Sequence, residues 1–427
     1  MKKILCIVSL FCFLKTKAQI TIPDIKFFTY LQNVVPSAVY PGNLLDTADA
    51  SVKSLTQINI SNDSIHDLTG VQYFTSLNYL DCSYNFLNHL PSLPHTLQFL
   101  FCQKNAITGL PALPSTIQIV NCGYNLLTAL PYTIPTNIFN FNCEHNLLSS
   151  LPPLSTTNLV YLNCRYNNII SFPAPFPGTL EQLDCSHNKL TNLPSISYLQ
   201  YLDCSYNNLN SLCTTMYGIQ YLFCDSNHLT SLPVLPNTLV NLDCGLNQLT
   251  SLPALPNSLG ALGCYSNSLT SLPTLPDSLQ FLSCSYNNIS CMPNFPGTLT
   301  DSMQFYIDPN PYTCLPNYVT AMGVTDLAKP LCTAGNPNGC FIAGIEKTNF
   351  KTPLSIYPSP AQNNFTIETN FADKQVLQLF DVNGKLVLVQ SITSTTTIDV
   401  SYLNAGVYSL AIVNSQNIQS KKLVIVK

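Results

Sequence analysis

Eleven cysteines, each followed three residues later by an asparagine, run from Cys82-x-x-Asn85 to Cys284-x-x-Asn287 at intervals of 20, 20, 21, 21, 21, 19, 20, 20, 20 and 20 residues. Thiols in such a series suggest metal ligation or cross-linking, and the amides suggest backbone capping. If each interval is one coil of a solenoid, neighbouring β-carbons lie about 4.8 Å apart, whereas a disulfide prefers about 3.8 Å. Zinc needs four ligands converging tetrahedrally, which a linear column does not offer. The cysteines are therefore expected as buried free thiols behaving as small hydrophobes. Two acids invite a catalytic reading. Asp184 and Asp203 hold the same position in consecutive coils, so their carboxylates could approach to about 5 Å, the separation used by retaining glycosidases. The run Asp184-Cys185-Ser186-His187-Asn188 cannot form a triad, because adjacent strand residues point to opposite faces. Asp-Val-Asn-Gly at 381–384 lacks the downstream glutamate of a calcium loop and fits a hairpin. No HExxH, P-loop or GxSxG is present. No catalytic residue, metal site or cofactor is expected.

The elements that position these side chains follow from the frame around each cysteine, as in LNYLDCSYNFLNHLP (77–91) and LVNLDCGLNQLTSLP (239–253). In L-x-C one face alternates apolar, so it reads as a short strand buried on one side. The asparagine marks a turn, where its amide can satisfy backbone groups of neighbouring coils. The chain then returns through segments such as LPALP (252–256), which proline keeps extended rather than helical. LTQINISNDSIHDL (55–68) keeps the spacing, with Ile60 for cysteine and Asp63 for asparagine. About twelve repeats over 55–298 result.

The frame L-x-x-L-x-C-x-x-N-x-L-x-x-L resembles the leucine-rich repeat. The cysteine ladder, with the openings IPD…F…YL and IHDLTGVQYFTSL, is similar to internalin-like repeats of secreted bacterial proteins. The LPxLP returns resemble the short repeats of bacterial effectors. The resemblance implies a repeat solenoid, a horseshoe of short parallel strands with extended proline-rich returns, serving as a binding scaffold. Solenoid ends need caps. The first is expected at 19–54, with a helix opening at Pro23-Asp24, and the second at 299–340.

Met1-Lys2-Lys3, the apolar run 4–14 and Lys-Thr-Lys-Ala-Gln read as a secretory signal over 1–18. No apolar stretch is long enough to span a membrane in the mature chain. Only 9% of the 427 residues are charged and the net charge is −4, which leaves no basic footprint for nucleic acid. After a linker at 341–350 the texture changes to short alternating strands over 351–427, suggesting a small β-sandwich. Here IYPSPAQNNFTI (356–367), LFDVNGKLV (379–387), IDVSYLNAGVYSLAI (398–412) and KKLVIVK (421–427) resemble the C-terminal sorting domain of type IX secretion, although Ser359 stands where asparagine is usual. That resemblance implies partnership with the type IX machinery, and a product released or attached to the outer-membrane surface.

Four further cysteines are expected to form disulfides, paired Cys291–Cys314 and Cys332–Cys340. Cys291 and Cys314 share a context, NNISCMP against NPYTCLP. Alternation places Tyr79, Phe99, Phe101, Tyr161, Tyr201, Tyr221, Phe223 and Phe281 on the exposed strand face, with Asp81, Asp184, Asp203, Asp225 and Asp243. Tyr124, Tyr166, Tyr206 and Tyr286 follow just past the strands. Aromatics repeated in register suit a protein or glycan ligand. The reading is a non-enzymatic, secreted or surface-displayed adhesin or scaffold. The alternative is an extracellular hydrolase acting on polysaccharide.

Overall fold

The structure is a computed structural model. It describes residues 18–196, 198–212, 217–327, 329–332, 355–368, 375–381, 386–393, 395–413 and 418–427. The chain divides into two compact units, Met1–Leu209 with Thr215–Tyr217, and Asn210–Thr214 with Gly218–Lys427. The expected signal segment (Ala18 apart), the linker, Cys213 and Cys340 lie outside the described residues.

In the first unit, helix α1 (Ile25–Val34) opens where Asp24 accepts the backbone N–H groups of Lys26 (2.8 Å) and Phe27 (3.0 Å). Those bonds satisfy two of the orphan donors of a helix start. Phe27, Phe28 and Leu31 form its buried face. A three-stranded antiparallel sheet of Gln19–Thr21, Val39–Tyr40 and Leu44–Asp46 completes the N-terminal segment. The other Asp24 oxygen accepts the His66 N–H at 2.6 Å, joining this segment to the first coil.

Eight three-residue strands then pair in parallel, from Gln57–Asn59 and Tyr79–Asp81 to Tyr201–Asp203. Their register matches like with like: Leu80 faces Leu100, Leu162 faces Leu183, and Leu183 faces Leu202. In the second unit the same ladder runs from Tyr221–Phe223 through Asn241–Asp243, Ala261–Gly263 and Phe281–Ser283 to Phe305–Tyr306. The middle leucines and all eleven ladder cysteines are buried, and the cysteines are free thiols. Burial pushes the Cys102 and Cys143 thiols up to about 12, so they behave as apolar filling rather than as nucleophiles.

Asparagine does the work its spacing suggested. Asn188 Nδ2 donates to the carbonyls of Cys164 (3.0 Å) in the preceding coil and Cys185 (3.1 Å) in its own, while Oδ1 accepts the Ile169 N–H at 2.9 Å. Asn85, Asn105, Asn125, Asn146 and Asn167 repeat the pattern. The first coil differs only in its own rung, where Asp63 is exposed; Asn85 of the next coil reaches back to Ile60 O and Ile65 N in the usual way. At the other end a coil beyond the expected twelve appears inside the segment read as a cap. Ile307 takes the cysteine position, and Asn310 donates to Cys284 O (2.8 Å) and accepts from Ile289 N (3.0 Å).

The returns are extended and carry a second ladder. Thr96 Oγ1 donates to Thr75 O (3.0 Å) and Leu77 O (2.8 Å), and Ser278 Oγ does the same to Asn257 O (2.8 Å) and Leu259 O (2.7 Å). Each hydroxyl sits in a turn closed from leucine N–H to proline carbonyl, as Leu97 to Pro94 at 3.1 Å. Proline itself donates nothing, so the hydroxyl of the Pro-x-Ser/Thr-Leu turn supplies the inter-coil bond.

The expected cystine pairing is corrected. Cys314 is bonded to Cys332, not to Cys291, and Cys332 is therefore not joined to Cys340. A parallel bridge between Leu315 and Leu331 sets the two cysteines side by side, with Cys332 N donating to Leu315 O at 2.8 Å. Their α-carbons are 5.0 Å apart, within the range that a disulfide spans. Cys291 packs against the pair and is itself disulfide-bonded.

The C-terminal strands form two antiparallel sheets. One joins Ser355–Tyr357, Asn364–Glu368 and Thr395–Asp399, and the other joins Leu386–Ile392, Gln375–Phe380, Gly406–Val413 and Ile418–Ile425. Phe365, Ile367 and Ile398 of the first share one core with Leu377, Leu379, Leu410 and Leu423 of the second. That is the small sandwich expected from the alternation.

Candidate binding surface

Strand alternation turns aromatic side chains to one side of the ladder. In the first unit Tyr79 lies 5.5 Å from Phe101 and 6.5 Å from Phe99 between ring centroids. Tyr161 and Tyr201 flank Gln182 across the same ladder. All five rings are half-buried. Burial raises the Tyr201 hydroxyl to about 12, helped by the carboxylates of Asp203 and Asp184. In the second unit Phe223 and Phe281 are half-buried, Tyr221 is exposed, and Phe281 packs 6.4 Å from Tyr306.

The acids have a local task. Oδ1 of Asp81 accepts both the N–H (3.0 Å) and the hydroxyl (2.6 Å) of Ser83. Asp184 holds Ser186 and Asp203 holds Ser205 in the same way, and Asp243 accepts the Gly245 N–H at 3.0 Å. An Asx turn of this kind closes the strand before the asparagine rung. Asp225 lies beyond the Tyr221–Phe223 strand, where its Oδ2 accepts the Ser226 hydroxyl at 3.1 Å. Asp184 and Asp203 are directly opposite in register, as expected. Burial foremost, and the Asp203 charge, raise the Asp184 carboxyl above its ordinary value. Asp184 also stands 4.0 Å from Arg165, whose guanidinium is bonded to Glu144 at 2.6 Å. Among the described residues no three histidine, cysteine, aspartate or glutamate side chains converge to hold a metal ion, and no helix is long and apolar enough to cross a membrane.

A second aromatic column stands one turn past the strands. The residue two places after each cysteine adopts a left-handed backbone, with φ between 49° and 56° at Tyr84, Lys104, Tyr124, His145, Tyr166, His187 and Tyr206. Non-glycine residues pay roughly 1–2 kcal/mol for that conformation. The asparagine that follows offsets the cost through its several backbone bonds. Along this column Tyr124, His145, Tyr166, His187 and Tyr206 stack face to face, with successive centroids 4.1, 4.1, 4.0 and 4.2 Å apart. The three tyrosines were legible past the strands; His145 was not singled out, and His187 was weighed only as part of a triad. Their signal was the column itself, read downward as GYN, EHN, RYN, SHN and SYN. Beside the stack runs a shallow groove of about 570 Å³, edged by Leu126 and Leu147.

Residues 355–426 match the family of secretion system C-terminal sorting domains. No curated protein matches the chain. Among solved structures, YopM from Yersinia enterocolitica is 31% identical, covering 64% of this chain and 68% of its own, with a TM-score of 0.52. The leucine-rich effector YopM from Yersinia pestis is 24% identical, with coverage of 69% and 97% and a TM-score of 0.54. The functional domain of InlJ from Listeria monocytogenes, which includes a cysteine ladder, is 20% identical, with coverage of 95% and 97% and a TM-score of 0.57.

Proposed function

Because the chain belongs to the leucine-rich repeat proteins and closes in a type IX secretion sorting domain, we propose that it is an exported binding protein, an adhesin or scaffold. The segment 1–18 takes it through the inner membrane. The sorting domain then directs it to the outside, where it is released or held at the outer-membrane surface. Its ligand is a protein or a glycan. The observation that carries this reading is the set of aromatic side chains, Tyr79, Phe99, Tyr161 and Tyr201 among them, that one strand ladder holds at the same register position. Such a set offers a large, pre-ordered contact area at little entropic cost.

The hydrolase alternative is disfavoured. Asp184 and Asp203 each commit an oxygen to a serine turn, and the face they stand on is open. Catalysis by a carboxylate pair needs oriented groups from which water can be excluded.

A double substitution tests the reading. Screening the wild-type chain on glycan and protein arrays identifies a ligand, and Y161S/Y201S then weakens it by at least about tenfold, as loss of a central aromatic anchor does. Circular dichroism confirms that the variant is folded. Undiminished binding moves the contact away from the strand face.

A further inference from the structure

The stacked column of the first unit has an ordered composition. Tyrosines at 84, 124, 166 and 206 alternate with Lys104, His145 and His187. Lys104 Nζ lies 4.7 Å from the Tyr84 centroid and 5.3 Å from that of Tyr124, so it is sandwiched as the imidazoles are. Every second coil therefore presents a cation or a group that becomes one on protonation, with an aromatic face on each side to stabilise it.

Face-to-face stacking uses up the ring faces, which leaves their edges for solvent. The tyrosines are 39–49% exposed. Their edges carry hydroxyls, and a protonated imidazole edge carries two N–H donors and no acceptor, as lysine carries donors alone. The ridge is thus a donor row whose charge recurs every two coils, about 9.6 Å at the usual strand spacing. An extended peptide repeats its same-face side chains at about 6.8 Å, out of step with that period. An extended disaccharide unit has the matching length. Leu126 and Leu147, 46% and 48% exposed, supply an apolar margin for sugar C–H faces.

We propose that this ridge binds a linear acidic polysaccharide with one anionic group per disaccharide, and binds it more tightly as His145 takes up a proton. The proposal deepens the binding-scaffold reading and rests on it. The charged groups facing His145 are Glu144, Arg165 and His187. Glu144 is bonded to Arg165, so it competes weakly for the site. Burial foremost draws the His145 imidazole below its ordinary value, against the pull of Glu144. Protonation therefore requires acid, and a bound anion favours it, which couples affinity to pH.

Calorimetry of the full chain with hyaluronate oligosaccharides, which carry one carboxylate per disaccharide, tests this at about pH 5.5 and about pH 8. Affinity is expected to be at least about tenfold higher at the acid pH. H145N/H187N should flatten that dependence, asparagine being at ease in a left-handed backbone. K104M should weaken binding at both pH values. Binding that is independent of pH, a pH dependence that survives in folded H145N/H187N, or equal binding of neutral chito-oligosaccharides overturns the proposal. So does displacement of hyaluronate by an acidic peptide. Failure with hyaluronate while another ligand still requires Tyr161 and Tyr201 refutes the ridge alone; absence of every ligand refutes the scaffold reading with it.

Discussion

Asn188→Ala lowers stability by roughly 1–3 kcal/mol, the cost of leaving buried backbone groups without partners. The amide is buried and bonded on both sides: to Cys164 O and Ile169 N of the coil before, and to Cys185 O and Ser186 O of its own. Alanine fills none of these roles and admits too little water to replace them. Asn188→Asp is expected to cost more, because it keeps the acceptor for Ile169 but turns a carboxylate toward three carbonyls. Asn208→Ala is the control. Asn208 is exposed, and a surface change of that kind stays within about 0.5 kcal/mol. Urea unfolding of the three variants, followed by circular dichroism, measures the difference. Equal midpoints for Asn188→Ala and Asn208→Ala would show that the amide does not hold the coils.

Ending the chain at residue 350 abolishes export while leaving the repeats folded. The sorting domain has a core of its own, in which Phe365, Ile367, Leu377, Leu379, Leu410 and Leu423 bury one another. The ladders of the solenoid take their hydrogen bonds from adjacent coils, so truncation removes no partner from them. Separate cores make separable units. In cells with the type IX system the truncated protein is expected in the periplasm at native-like protease resistance, and the full chain outside. Finding the truncated form outside the cell would assign export to another part of the chain.

How far the sequence was legible follows from which groups repeat. Cysteine and asparagine recur at a fixed offset, so the buried column and its amide bonds could be placed before any coordinates. Ile307 and Asn310 escaped because isoleucine replaces cysteine there, although Ile60 had already shown the same exchange. The hydroxyl ladder was present as a Ser or Thr before leucine in most returns, as at Thr96, Thr238, Ser258 and Ser278. Its role was not legible because a hydroxyl beside two prolines gives no hint that carbonyls of the previous coil lie within reach. The Cys314–Cys332 bond depended on a bridge between Leu315 and Leu331, and pairings outside a repeat have no period to betray them. The local task of the acids went unread, although the serine two residues on from Asp81, Asp184 and Asp203 claims an oxygen of each.

The side-chain amides of the ladder asparagines bond their own coil and the one before it, as at Asn125 and Asn146. The ladder consequently has no preferred length. A gene that gains or loses one whole repeat restores every rung, because the new neighbours present the same carbonyl and the same N–H as the old. The spacing between cysteines already drifts between 19 and 21 residues, whereas the interval from cysteine to asparagine never does. Variation by single residues is thus confined to the proline-rich returns, and variation by whole repeats is open everywhere between the caps. A lineage carrying this chain can lengthen or shorten its reach by unequal recombination without first having to invent a new core.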